Sequence, residues 1–157
     1  MLDEAGFDSA ARWYVDGYSQ RSGIKVNLDF PPKLDRMHRD VEVALFRAVQ
    51  ESLTNIHKHS GAASVNICLK SDAKQIRLEI RDDGRGIPQK RLKRLVEDAS
   101  EAGVGIAGMR ERMRDLGGTL NIQSSRTGTS VVISIPAEKA FATSQENGES
   151  GQSVSAA

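Results

Sequence analysis

Cysteine is nearly absent. Cys68 is the only one in 157 residues, so no internal disulfide can form and a reducing compartment is expected. It sits in the alternating stretch 65–69, which reads as a buried small hydrophobe. Histidine is scarce too. His38, His57 and His59 show no ligand spacing with Cys68, which argues against a structural zinc site. No stretch approaches the ~20 apolar residues of a membrane helix, and the N-terminus has no signal-peptide core, so a cytoplasmic domain is expected. Neither sign of charge is in excess: 22 basic and 21 acidic residues leave a net charge of +1. That balance argues against a general electrostatic grip on nucleic acid or an anionic membrane. No G-x-x-x-x-G-K-[ST] motif occurs, which excludes a P-loop.

What is present suffices for one domain with a sizeable core. Residues 8–20 read as a helix, capped by Asp8 or Ser9, with Ala10, Trp13, Tyr14 and Gly17 at helical spacing. Residues 24–30 alternate as a strand that Pro31-Pro32 ends. A long helix starts at Arg39 or Asp40, runs to His59 and stops at Ser60-Gly61. Two strands follow, 64–70 and 75–81, then a highly charged, partly helical segment, 88–102. A short helix, 107–116, and two more strands, 119–124 and 129–135, complete the pattern. After Pro136 apolar anchors almost vanish, so 1–137 reads as the folded domain and 138–157 as a disordered tail or linker. This order implies an α/β two-layer sandwich: a mixed, mainly antiparallel sheet with helices on one face.

Three blocks carry chemistry. Leu45, Ala48, Val49, Leu53 and Ile56 form the apolar arc of the long helix, and Glu51, Asn55 and His59 run along its border at i, i+4 and i+8, with Lys58 beside them. A carboxylate one turn from a carboxamide suits a hydrated divalent cation. Lys58 and His59 are within reach of phosphate oxygens from the same stripe. For the helix alone, an ordinary half-buried boundary explains the stripe better. The second block is Asp82-Asp83-Gly84-Arg85-Gly86-Ile87, where a strand stops. Its glycines permit a tight turn and close approach to a flat or anionic group. A carboxylate at the mouth of such a turn can accept a hydrogen bond from an amino group. The third block, Gly103-Val104-Gly105-Ile106-Ala107-Gly108, spells G-x-G-x-x-G. A charged segment precedes it and no acidic residue ends the next strand, which argues against a Rossmann site. A glycine loop opening a helix still offers free N–H groups to an anion. Arg110, Arg112 and Arg114, interleaved with Glu111 and Asp115, read as a solvated face.

Glu51-x-x-x-Asn55, Asp82-x-Gly84-x-Gly86 and Gly103-x-Gly105, in this order and followed by Gly128-Thr129, resemble the N, G1 and G2 boxes of a known ATPase family. Gyrase, the ninety-kilodalton heat-shock chaperone, sensor histidine kinases and MutL share it, and its fold is of Bergerat type. Residues 44–55 and 105–112 resemble the catalytic domain of nitrate/nitrite-sensor-like histidine kinases, and Leu2 to Phe7 resemble the joint after that class's dimerisation domain. The resemblance implies binding of ATP and Mg2+. It implies that Asp82 accepts from the adenine amino group, over a turn shaped by Gly84 and Gly86 with Ile87 beside it, while Asp83 fills a variable slot facing solvent. Asn55 would ligate magnesium, and Glu51 would polarise a water or the nucleophile. Lys58 and His59 would contact phosphates, and Gly103, Gly105 and Gly108 would wrap them in a mobile lid, with Val104, Ile106 and Met109 at the same site. Thr129 would lie near the base.

Two departures matter. Glu51 stands where many histidine kinases have asparagine, and no phenylalanine lies between Ile87 and Gly103, so the F box is absent and the lid is short. None of the three histidines lies in an acceptor setting. The implied partners are a separate dimerisation and phosphoacceptor domain and a response regulator. The isolated domain is expected to be a monomer and the full kinase a homodimer. An anti-sigma-factor-like serine kinase and an ATP-gated binding module remain as alternatives.

Overall fold

The computed structural model of the protein describes residues 2–97 and 104–141. Its elements are α1 (Leu2–Ser22), β1 (Lys25–Asp29), α2 (Arg39–His59), β2 (Ser64–Ser71), β3 (Gln75–Asp82), α3 (Gln89–Glu97), α4 (Val104–Asp115), β4 (Thr119–Ser125), β5 (Gly128–Pro136) and α5 (Ala137–Ala140). The five strands form one sheet in the order β1-β2-β3-β5-β4. β1 pairs with β2 in parallel and every other pairing is antiparallel. The expected mixed α/β sandwich is the observed one.

Alternation builds the core. Ile67, Ile80, Val131 and Ile122 form one cross-strand row, and Leu69, Leu78, Ile133 and Leu120 form the next. These rows pack beneath α1, α2 and α4, with the whole predicted arc of α2 buried. Fully burying one such side chain contributes about 1.5–3 kcal/mol. The other sheet face is polar. Asn27 bonds Asn66, and Glu79 accepts from Arg77 and Ser130. Cys68 has the parity of that outer face, between inward Ile67 and Leu69. It is therefore only half-buried, and its thiol donates to Asp29. Partial burial and the Asp29 carboxylate raise its pKa and keep it a thiol.

Several expectations shift. The first helix begins six residues earlier, with a kink at Gly6 (φ 78°, ψ 178°). Its buried side is Phe7, Ala11, Val15 and Tyr18, and Trp13 points outward, 64 % exposed. Neighbour spacing set the face; side-chain size did not. The folded part also passes residue 137. Ala140 is fully buried and its carbonyl accepts from the His38 N–H, so α5 closes the core near the start of α2. The tail expected from 138 therefore loses its first residues to the fold, and 142–157 lie outside the described residues.

Candidate functional site

Asp82 gains its meaning from the length of β3. The strand runs one residue beyond the expected end, so Asp82 continues the inward parity of Ile76, Leu78 and Ile80. A carboxylate on the core face of a sheet is costly to bury without partners. The Gly84 N–H donates to Asp82 Oδ1 at 2.8 Å. Burial still dominates and pushes the Asp82 pKa up, against relief from the Gly84 and Thr129 amides.

The turn after Asp82 is pinned at three points. Asp83 does not merely face solvent. Its carboxylate accepts from the Ala63 and Ser64 amides at 2.9 and 3.0 Å and from the Ser64 hydroxyl at 2.8 Å. These bonds lower its pKa, the Ser64 amide first. Arg85 donates its amide to Ser60 O and its Nε to His59 O, at 3.0 and 3.1 Å, on the C-terminal carbonyls of α2. The Ile87 amide donates to Ser124 Oγ at 2.7 Å, and that oxygen lies 2.9 Å from Thr129 Oγ1. Gly84 and Gly86 make the turn possible. A Cβ on Gly84 would collide with Ser60, and one on Gly86 (φ +76°) with the Ser125 carbonyl.

The lowered pKa of Asp83 makes a stability prediction. Its contribution is present above the ordinary carboxylate pKa and lost as pH falls through the depressed value. Asp83→Ala is expected to lower Tm by a few degrees at pH 7 and by less at pH 3. Thermal melts at both values check this, and an equal loss at both would contradict it.

Between α2, the strand ends and α4 lies a cavity of about 350 Å³. Its floor is the in-register row Ile80, Val131 and Ile122, continued by Asp82 and Thr129. Ser52 and Ile56 of α2 and Ile106 and Met109 of α4 also line it. Glu51, Asn55 and His59 line it from the border stripe, and Gly86, Ile87 and Pro88 close it on the turn side. The space has an apolar floor, with a buried carboxylate at one place and a carboxylate–carboxamide pair at another. Residues 51, 55, 59, 82, 86, 87, 106, 109 and 129 of the sequence-derived set therefore share one cavity.

The remaining members stand elsewhere. Lys58 is exposed and does not line the cavity, and Gly84 sits behind the turn. Gly103 lies outside the described residues. The flexible glycine loop is a correction: α4 already starts at Val104, so Gly105 and Gly108 are helical. Ile106, Met109 and Met113 recur at helical spacing, with both methionines buried, and this packing carries the glycines into the helix. Gly105 lets α4 lie against the Glu51 carboxyl, where a Cβ would collide with the flexible end of Glu51.

Sequence reasoning missed Ser52, Ser124, Arg85 and Arg91, which is also at the cavity wall. Ser124 had a legible signal, because it pairs with Thr129 across the hairpin. Arg91 had none, since the charged segment offers many equivalent cations.

Residues 40–139 match the family model described as histidine kinase-, DNA gyrase B-, and HSP90-like ATPase. The chain is 35% identical over 136 residues to the signal transduction histidine-protein kinase/phosphatase DegS of Brevibacillus brevis, covering 86% of this chain and 33% of that protein. It is 32% identical over 136 residues to the oxygen sensor histidine kinase NreB of Staphylococcus carnosus, covering 86% and 38%. The chain thus spans about a third of the length of these relatives. Among solved structures, the histidine kinase domain of the Erythrobacter litoralis EL346 blue-light activated histidine kinase matches with a TM-score of 0.69 at 26% identity, covering 83% of this chain and 60% of that one.

Proposed function

Because the chain belongs to the histidine kinase-, DNA gyrase B- and HSP90-like ATPase family, an ATP-binding family, we propose that it is the catalytic domain of a two-component sensor histidine kinase. It would transfer the γ-phosphoryl group of Mg-ATP to a histidine on a separate dimerisation domain, for onward passage to a response regulator. The observation that carries this reading is the buried Asp82 in an apolar cavity that Glu51 and Asn55 also line.

The cavity's chemistry fits the nucleotide. The Ile80–Val131–Ile122 row offers a flat base an apolar surface, and Asp82 offers the acceptor that an exocyclic amino group needs. At the other end, Asn55 would offer its amide oxygen to Mg2+, and Glu51 would orient the attacking imidazole. His59, with Lys58 outside the cavity, would meet phosphate oxygens. Among the described residues no group of three His, Cys, Asp or Glu side chains could hold a metal ion. A cation at Asn55 would therefore depend on phosphate oxygens for its remaining ligands. Bound Mg-ATP supplies the transferable phosphoryl group and most of the charge to be neutralised, and the protein supplies position and electrostatic relief.

The test uses γ-labelled ATP, this chain and a separately expressed helical hairpin bearing the acceptor histidine. Label is expected on the hairpin, in acid-labile form. No label on the hairpin overturns the histidine kinase reading. Glu51→Gln is expected to slow transfer about 100-fold or more, with nucleotide affinity within about threefold of wild type. Calorimetry and the same transfer assay separate the two effects.

A further inference from the structure

One hydroxyl in the cavity wall departs from what its neighbours do. A serine or threonine inside a helix ordinarily returns its hydroxyl to the carbonyl four residues back. Thr54 Oγ1 does so to Gln50 O at 2.9 Å, and Ser60 Oγ to Ile56 O at 2.8 Å. Ser52, on the same helix, does not. It is 4 % exposed, and its Oγ makes no hydrogen bond within the described protein. A buried hydroxyl without a partner is destabilising, and native structures rarely carry one without a reason.

The surroundings of Ser52 supply a reason. It lines the same cavity as Asp82, and Ile56, Ile80 and Val131 line that cavity too. Next to Ser52 on α2, the Leu53 carbonyl accepts from the buried Tyr18 hydroxyl at 2.9 Å. Asp82 can only accept when ionised, whereas Ser52 has a proton to give. Together they offer one acceptor and one donor in the cavity whose floor is the apolar row Ile80, Val131 and Ile122. That pattern complements an edge that presents an amino group beside an unprotonated ring nitrogen, as an aminopurine does.

We propose that Ser52 is a second base-reading residue: its hydroxyl donates to the ring nitrogen beside the amino group that Asp82 reads, with at most one water between them. The proposal rests on the nucleotide reading above and adds a specificity-determining residue to it. Ser52 is then unpartnered in the free protein because its partner is the ligand.

The experiment measures calorimetric affinity of the full chain for a non-hydrolysable ATP analogue and for its 1-deaza counterpart, in which that ring nitrogen is a C–H. Wild type is expected to prefer the parent analogue. Ser52→Ala is expected to lose about five- to tenfold in affinity for the parent and less than twofold for the 1-deaza compound. Its Tm without ligand is expected to equal or exceed that of wild type, since the unpaired hydroxyl is gone. Equal affinity of S52A and wild type for the parent analogue overturns the role of Ser52 and leaves the nucleotide reading standing. An equal loss with both compounds also overturns it, because a general packing defect has that signature. Failure of wild type to bind the parent analogue overturns both readings at once.

Discussion

Asp82→Asn is expected to reduce affinity for a non-hydrolysable ATP analogue by at least about 100-fold, while the protein stays folded. The substitution keeps shape and volume but turns an acceptor into a group that can present N–H to the ligand's own amino group. A lost bond to a charged acceptor and a buried donor facing a donor each cost about 1.5–3 kcal/mol, and every 1.4 kcal/mol is a factor of ten. Stability moves the other way. Burial raises the Asp82 pKa, so its protonated form favours folding, and that contribution is lost as pH rises through the raised value. Burial therefore penalises the ionised carboxylate, and asparagine carries no such penalty. Asparagine can also still accept from the Gly84 amide, the bond that fixes the turn. Calorimetry and thermal melts together check this: affinity is expected to collapse with Tm equal or higher. The same upward shift sets a pH profile, with wild-type affinity falling on acidification at a higher pH than an exposed aspartate would give. Unchanged affinity in the variant would remove Asp82 from the base-reading role.

Gly128→Ala is expected to damage the fold strongly. Gly128 has φ +139°, and a Cβ there would collide with the Asp82 carbonyl oxygen and press on Asp83. Both neighbours are backbone, so no side chain can swing away. Strain at such a φ costs about 1–3 kcal/mol and overpacking a similar amount, for a total of about 3 kcal/mol or more. In a chain of this size that lowers Tm by roughly 6–12 °C. Gly105→Ala is the control, because its Cβ would meet only the flexible end of Glu51. It is expected to change Tm little and to act on phosphoryl transfer by displacing that carboxylate. A melt of G128A within about 2 °C of wild type would show that the β4–β5 turn yields more easily than its contacts indicate.

The two predictions depend on features of different visibility. The inward row Ile76, Leu78, Ile80 was legible from alternation alone, because strand parity is local. One more residue of the same parity would have placed Asp82 on the core face. The strand was expected to stop at 81, and where a ladder stops depends on its neighbour, since Asp82 pairs with Val65. Asp83 shows the same limit: its partners lie twenty residues away, at Ala63 and Ser64. The glycines of α4 failed for another reason. Helix propensity disfavours them, and only the burial of Met109 and Met113 against the core outweighs that.

By itself the sequence determined the element order as far as β5, the apolar arc of α2, the mixed sheet and the residue types the site needs. Those follow from periodicity and spacing along the chain, which no distant contact can alter. Tertiary structure alone decided which of those residues meet. It gathered Glu51, Asn55 and Asp82 around one cavity and left Lys58 outside. It turned Asp83 into an anchor, and it left Ser52 buried with a hydroxyl that no neighbour satisfies. Each of these outcomes depends on which groups lie opposite across a packed interface, and that information exists only once the sheet and helices have come together.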